Sequence, residues 1–546
     1  MDNRQSVSSK DCRYNITVAH KREDARNSMF VCGTNIGGTL CCDLNLSESS
    51  LECIPSHNTS DINKNIKEFI LKEDEPSVLV ESAKDADLYI AYSGSQDHVG
   101  IHKFGKNRVG PSNHDKEQHY VGLVLSRRRD KPLQDKVYAF YKEKNRDTGL
   151  DSEMWLPFVT QICTADVGGP KNYMQFSWTS QMNARLYCGD SYRKQYFPEL
   201  VDVAFTHGDK WPDTRVYALF RNEWGMSAVC VYTIQEIDHI FRNTTFKDSW
   251  EDRSRECVED STKISLETLK KIKTTSEMEE LVQPEGKSGP LLFNHHNYTH
   301  IYVGSQHKNN LHPVLFLSLN NGGIHKVVQN KSQSFIISEY RPFDDRGHIL
   351  SITLNPSSRR LYVNFRSEMV QLNLANCAQY GQTCEDCILA RDPDCGWDGT
   401  HCAPQTDNTL QDVAAGDPAI CKAQSSEKVL KTLTDTHEEK VKDSITVPFQ
   451  SKYFLQCPVS SHHAQYTWHH PKGPTHCSTK EQHCTLFIHS MGPEQVGTYR
   501  CVSEEKGYEK VLAEHQLKLG SGAACHSSSL LVWVSLLVVL MKSLSC

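Results

Sequence analysis

CAQYGQTCEDCILARDPDCGWDGTHC, residues 377–402, is the stretch around which the chain is organised. Five cysteines fall within it, around an aspartate-rich turn and a Cys395-Gly396-Trp397-Asp398 core, and a sixth, Cys421, follows a polar loop. So short a segment has too little apolar surface to hold a core by burial, so cross-links must supply the difference. Cys384-x-x-Cys387 also fits half a zinc site or a redox dithiol. Zinc asks for a second matched pair or regularly spaced histidines. Cys395 and Cys402 are too widely spaced for that, and His401 is the only histidine in the stretch, which favours cross-links over metal. The sequence reads differently on the two sides of this knot, so it is also a joint.

Composition narrows the class. A chain of 546 residues predicts three or more domains, and a net charge of −7 with interspersed signs leaves no footprint for nucleic acid. The sharpest basic spot, Arg127-Arg128-Arg129, reads as a solvated turn. Twenty-one cysteines suit an oxidising compartment. Six glycosylation sequons, at Asn15, Asn45, Asn58, Asn243, Asn297 and Asn330, agree with it. The chain is expected outside the cell. Met1-Asp2-Asn3-Arg4 opens without an apolar signal region. At the other end, Leu530 to Met541 is apolar except for Ser535 and is too short to span a bilayer. Small residues at 520–524 and a polar spacer precede it, the order of a GPI-anchor signal.

Before the knot, one strand phrase recurs: SMFVCGTN at 28–35, ADLYIAYSG at 86–94, DKVYAFYKE at 135–143, TRVYALFRN at 214–222, THIYVGSQ at 299–306 and RRLYVNFRS at 359–367. Its aromatics are Phe30, Tyr89, Tyr138, Tyr217, Tyr302 and Tyr362. Alternating strands repeated at this spacing predict a β-propeller with insertions, six blades being visible. Between Thr262 and Leu281, Ile264, Leu266, Leu269 and Ile272 recur at near-helical spacing, predicting a helical insertion between two blades. After the knot, 425–444 reads as a linker. Cys457, Trp468, Tyr499 and Cys501 then follow in the immunoglobulin order of disulfide, packed indole and tyrosine corner, with Gln495 where such domains often carry Asp.

Enzyme chemistry finds no support. There is no Gly-x-Ser-x-Gly elbow and no His-Glu-x-x-His helix, and His437-Glu438-Glu439 lacks the second histidine. The histidine groups at 295–296 with 300, and 462–463 with 469–470, lack carboxylate or cysteine partners at matching spacing. The expectation is a binding protein, not an enzyme, with no cofactor and no metal.

The Cys-Gly-Trp-Asp knot resembles the PSI (plexin–semaphorin–integrin) module. Val31-Cys32-Gly33-Thr34-Asn35, Gln161-Ile162-Cys163, Asp166-Val167-Gly168-Gly169 and Ser227-Ala228-Val229-Cys230 resemble sema-domain signatures. Propeller, PSI knot, Ig domain and lipid-anchor tail, in that order, resemble the class-7, GPI-anchored semaphorins. The resemblance implies an all-β chain: a seven-bladed sema propeller over 1–374 with its first part missing, a PSI domain over 375–422, a linker over 423–444, an Ig-like sandwich over 445–519 and an anchor signal over 520–546. It implies the pairs Cys32–Cys41, Cys163–Cys257, Cys188–Cys230, Cys377–Cys395, Cys384–Cys421 and Cys387–Cys402. Cys457–Cys501 and Cys477–Cys484 belong to the Ig domain, and Cys42–Cys53 is added on the remaining residues. Tail removal would discard Cys546 and Cys525, leaving Cys12 over. With the absent signal region and seventh repeat, that leftover cysteine implies a start that is missing here.

As to function, the resemblance implies a GPI-anchored ligand on the outer face of the plasma membrane. It would form a homodimer and bind a receptor of the plexin C class, with roles in axon guidance, cell migration and immune regulation. The alternative is an integrin-binding adhesion protein, although Arg-Gly-Asp is absent. Receptor contacts are expected on loops of the third and fourth blades, at Tyr192, Arg193, Lys194, Arg221, Asn222 and Trp224.

Overall fold

The structure is a computed structural model. It describes residues 13–22, 27–47, 53–54, 57–82, 85–95, 98–112, 114–147, 149, 152–190, 194–247, 254–304, 312–330, 333–343, 347–366, 368–425, 443–459, 461, 463–477 and 484–520. Two compact units divide at Leu374 and Ala375.

The first unit is a series of antiparallel sheets, each built from strands consecutive in the chain. Six such sheets of three or four strands occur among the described residues, and each carries one aromatic phrase. They are consecutive blades of a β-propeller; the seventh expected blade has no sheet among these residues. Alternation explains the phrases. In Lys136–Lys144, Tyr138 and Phe140 face the fourth sheet, while Val137, Ala139 and Tyr141 face the second. In Arg215–Arg221, Val216, Ala218 and Phe220 pack towards the third sheet and Tyr217 and Leu219 towards the fifth. Strands buried on both faces must be apolar at every position, and period two decides which neighbour each side chain meets. The phrase does not fix position within a blade. In the fifth sheet it forms the first strand, Tyr298–Gly304, and the second strand is Val314–Leu319.

The helical insertion is longer than expected and sits elsewhere. The third strand of the fourth sheet, Ser227–Thr233, runs directly into the helix Ile234–Asn243. Leu292–Asn294 then returns to pair with Ser227–Val229 and completes the same sheet. The insertion therefore lies inside one blade, not between two. Thr233 caps the first helix by accepting from the Glu236 amide, and Ile237 and Phe241 are buried in the core shared with the third sheet. Only Leu269 and Ile272 of the predicted apolar set are buried, in the helix Leu266–Thr274; Leu266 is exposed.

This insertion corrects the reading of the basic run. Arg128 is buried, not solvated. Its guanidinium donates to both carboxylate oxygens of Asp238, at 3.2 and 2.7 Å, and lies 3.7 Å from the centre of the Trp211 ring. Lys136 Nζ stands 2.9 Å from the same carboxylate, and Arg242 Nε 2.7 Å. Burial brings the Lys136 ammonium down to about 8. Burial also opposes the Asp238 charge, but the Arg128 hydrogen bonds and the Lys136 charge outweigh it and hold the carboxyl at about 2. The group is a charged cluster with its partners in place.

Among the described residues, nine disulfides join the pairs assigned above, Cys42–Cys53 included. Cys163–Cys257 ties the insertion to the third sheet. Cys12, the greater part of the linker (426–442) and the proposed anchor signal after Gly520 lie outside the described residues. Among the described residues no helix is long and apolar enough to cross a membrane.

The second unit holds the knot and the Ig-like domain. Cys377, Cys387, Cys395 and Cys402 themselves form the knot's core, with Trp397 and Tyr380 against it. Gly396 is required there, because a Cβ would come 2.3 Å from Gln405 Oε1 and 2.7 Å from Thr409 Oγ1. The Ig strands begin at Asp443, two residues before the expected boundary. Asp443–Pro448 pairs in parallel with Tyr508–Gly520, next to Gly497–Glu505 and Gln465–His470; Tyr453–Cys457 pairs with Cys484–Ile488. Trp468 is fully buried beside the Cys457–Cys501 bridge. The tyrosine corner forms despite the glutamine: Tyr499 Oη donates to the Gln495 carbonyl at 2.8 Å. Knot and sandwich meet through Arg391 and Glu505, 3.2 Å apart and both buried, and through Lys510 and Asp386 at 2.7 Å.

Candidate functional site

Of the predicted receptor residues, Arg221, Asn222 and Trp224 lie at one end of the fourth sheet. Its first strand, Glu199–Thr206, starts opposite Arg221, the last residue of Arg215–Arg221. The turn 222–226 follows and leads into Ser227–Thr233. Just upstream of Glu199, Gly189–Asp190 and Gln195–Tyr196 form a small hairpin that enters at the same end. The disulfide from Cys188 to Cys230 anchors its base to the third strand.

Asn222 shapes the turn. Its Oδ1 accepts from the amides of Trp224 at 3.1 Å and Met226 at 3.0 Å, its carbonyl accepts from Gly225, and its amide donates to the Met226 carbonyl. Gly225 adopts φ +76°, a conformation side chains rarely tolerate. Asn222 is therefore a scaffold, not a free contact residue. The turn presents Trp224 with 81% of its surface exposed. A large apolar side chain held out by a rigid turn has the chemistry of an interface anchor.

Arg221 does not point freely into solvent. Its Nη2 donates to the Tyr298 carbonyl at 2.8 Å, and Nη1 lies 3.9 Å from Glu199 Oε2. Glu199 in turn accepts from Lys142 Nζ at 2.6 Å, and that ammonium sits 4.9 Å from the Trp155 ring. Sequence reasoning missed Lys142, Glu199 and Trp155, whose contacts cross from the third sheet to the fourth. In the hairpin, Lys194 is exposed with φ +52°, and Tyr196 stacks on Tyr187 at 5.5 Å. Burial pushes the Tyr196 phenol above its ordinary range. Tyr192 and Arg193 lie outside the described residues.

The sequons distribute unevenly. Asn15 and Asn243 are exposed; Asn45, Asn297 and Asn330 are half-buried; Asn58 lies in the helix His57–Ile66. Asn297 stands at the end just described. Tyr298, the residue after it, is clamped there: its amide donates to Ser227 Oγ at 3.0 Å and its carbonyl accepts from Arg221.

A carboxylate marks the seam to the fifth sheet. Asp202 stands at a bulge in the first strand; its Oδ2 accepts from the Ile301 amide at 2.9 Å and its Oδ1 from the Val203 amide at 2.8 Å. Burial pushes its carboxyl up to about 7 against the pull of those two donors.

Three family models match the chain: Sema domain over residues 200–356, Plexin repeat over 376–421, and Semaphorin-3/4/7A immunoglobulin-like domain over 439–528. Semaphorin-7A of Homo sapiens is 30% identical over 441 residues, 75% of this chain and 64% of the relative. Semaphorin-7A of Mus musculus is 28% identical over 531 residues, 91% of this chain and 75% of the relative. Among solved structures, Drosophila Semaphorin 2a matches with a TM-score of 0.66 at 20% identity, covering 94% of this chain and 86% of that one. A structure of Drosophila Plexin A in complex with Semaphorin 1b matches with a TM-score of 0.53 at 22% identity, covering 74% and 83%.

Proposed function

Because the chain belongs to the semaphorin family, we propose that it is a cell-surface ligand whose propeller binds a plexin ectodomain. The observation that carries this reading is the succession of Sema, plexin-repeat and semaphorin-type immunoglobulin matches along one chain. The solved complex of a fly semaphorin relative with Plexin A supports the choice of receptor class. The contact surface is the loop end of the fourth blade, where Trp224, Lys194 and Arg221 lie. Trp224 is the anchor, and the interface has the standard size of about 1,200–2,000 Å².

The chain is tethered through a GPI anchor signalled by the small residues, spacer and apolar tail of 520–541, acts as a homodimer, and pairs two receptors at once. It works by binding and not by catalysis. Its receptor is of the plexin C class, and the outcome is guidance of axons and migrating cells and regulation of immune cells. The test is a binding panel: the full chain, displayed on cells, against the ectodomains of each plexin class. Saturable binding to plexin C is expected. A folded, displayed chain that binds no plexin overturns the reading. Release from cells by phosphatidylinositol-specific phospholipase C is expected for the anchor, and retention after treatment overturns that part.

A further inference from the structure

We propose that the N-linked glycan of Asn297 is seated on Trp224, its first N-acetylglucosamine lying against the indole, so that glycan occupancy sets access to this corner of the molecule. The clause about access rests on the receptor reading above; the seating does not.

Two chain segments far apart in sequence are locked together here. The sequon Asn297-Tyr298-Thr299 opens the first strand of the fifth sheet, and the turn 222–226 closes a hairpin of the fourth. Tyr298 is held to both sides of that turn, by Ser227 Oγ at 3.0 Å and by Arg221 Nη2 at 2.8 Å. Thr299, the sequon's hydroxyl residue, is fixed by Ser318 Oγ at 2.9 Å, and the Asn297 carbonyl accepts from the Asn320 amide at 3.1 Å. The asparagine backbone therefore has little freedom relative to the turn.

The side chain is oriented for the attachment. Asn297 Oδ1 is buried, and Nδ2 is the amide atom on the side of the turn. A Cβ built on Gly225 would meet a single heavy atom within 4 Å, Asn297 Nδ2 at 3.9 Å. The sequon nitrogen thus lies within contact distance of the turn, beside a residue that has no side chain to block it. The next residue back is Trp224, the most exposed aromatic among the described residues with large apolar side chains on the surface. Its backbone is fixed by Asn222 Oδ1. An indole standing 81% in water leaves a broad apolar face uncovered, and the C–H face of a pyranose is a complementary surface.

Attachment itself balances without any group from this chain beyond the amide. Nδ2 forms a bond to C1 of a polyprenyl-pyrophosphate-linked oligosaccharide and loses a proton. The C1–O bond breaks and the pyrophosphate leaves with its electron pair. The bulk and polarity so added are those of a solubilising surface glycan. Seated on Trp224, the sugar exchanges an apolar patch for a hydrophilic one.

The full chain, made in mammalian cells, is mapped by glycopeptide mass spectrometry and then digested undenatured with peptide-N-glycosidase. Asn243, exposed at the end of its helix, is the internal reference. Asn297 is expected to be occupied and released about tenfold more slowly than Asn243, the size of one aromatic stacking contact. Trp224→Ala is expected to bring the two rates together, and Trp224→Phe to restore part of the difference. An unoccupied Asn297, equal rates in the parent chain, or a slow rate unchanged in Trp224→Ala overturns the proposal. A Trp224→Ala chain whose Asn243 rate also rises has lost its fold, and Trp224→Phe then decides by itself. In the receptor arm, Asn297→Gln bares the indole and is expected to raise plexin affinity about tenfold, again one aromatic contact. If no plexin binds the parent chain, the receptor reading fails and the digestion rates still decide the seating.

Discussion

The cysteine knot and the insertion of the fourth blade both hold irregular backbone in a fixed shape, by opposite means. In the knot, four half-cystines are the core, and three bridges fall between Cys377 and Cys421. The insertion has one bridge, Cys163–Cys257, and otherwise relies on Ile237, Phe241, Leu269 and Ile272 and on the Asp238 charge cluster. The difference follows from what each segment can lean on. The knot is too small to bury enough apolar area, so the unfolded chain has to be constrained instead. The insertion lies against a propeller core already built, so packing suffices, and buried charges with fixed partners select one docking geometry among the many that apolar contact alone would permit.

Breaking the knot should have the largest effect. Replacing Cys387 and Cys402 by serine in the full chain is expected to abolish secretion, since such bridges are worth about 2–5 kcal/mol in a small secreted domain. The matching pair, Cys163→Ser with Cys257→Ser, should leave the chain secreted but with an insertion that is cut faster in limited proteolysis. Equal secretion of both variants would erase the contrast. Next comes Asp238→Ala, which strands Arg128 and Lys136 among buried neighbours. A loss of about 3–5 kcal/mol is expected, read as a lower thermal midpoint. A variant as stable as the parent would mean that packing alone seats the insertion.

A smaller effect concerns pH. The Asp202 carboxyl, raised by burial to about 7, keeps a proton that the unfolded chain gives up near its ordinary carboxylate range. The native state then binds more protons than the unfolded state between about pH 4 and 7, so this group lowers stability as pH rises through that window and has no slope above it. Asp202→Asn should remove the slope and raise stability at pH 8, measured by thermal denaturation across pH. No difference between pH 5 and pH 8 profiles of the two chains would deny the shift. The smallest effect is that of Trp224→Ala on stability: within about 0.5 kcal/mol, as for an exposed residue whose contacts are absent from the core. A large loss would show the indole to be structural.

What the sequence disclosed follows the range over which each signal acts. Each aromatic phrase fell in its own sheet because alternation is a local property of a strand. The position of THIYVGSQ within its blade was not legible, since first and second strands bury the same kinds of side chain. The insertion reads as lying between blades because the pairing of Ser227–Val229 with Leu292–Asn294 spans the whole of it, and no local pattern announces such a return. Arg128 reads as solvated in the sequence because its carboxylate partner lies 110 residues away. At the candidate site, the exposure of Trp224 and the turn chemistry of Asn222 were within reach of sequence. The Lys142–Glu199–Arg221 line and the approach of Asn297 to Gly225 were not, because each joins two sheets.

The return strand also has a consequence for how the chain is made. Ser227–Thr233 leaves the ribosome well before Leu292–Asn294, with the residues from 234 to 291 between them. At roughly 5–20 residues per second, several seconds pass in which the third strand has an open edge. During that interval the helix Ile234–Asn243 can already dock, since Arg128 and Lys136, the partners of Asp238, lie upstream of it. The charge cluster can thus form while the last strand of the blade is still being synthesised, so the first helix of the insertion needs nothing downstream of it to be seated.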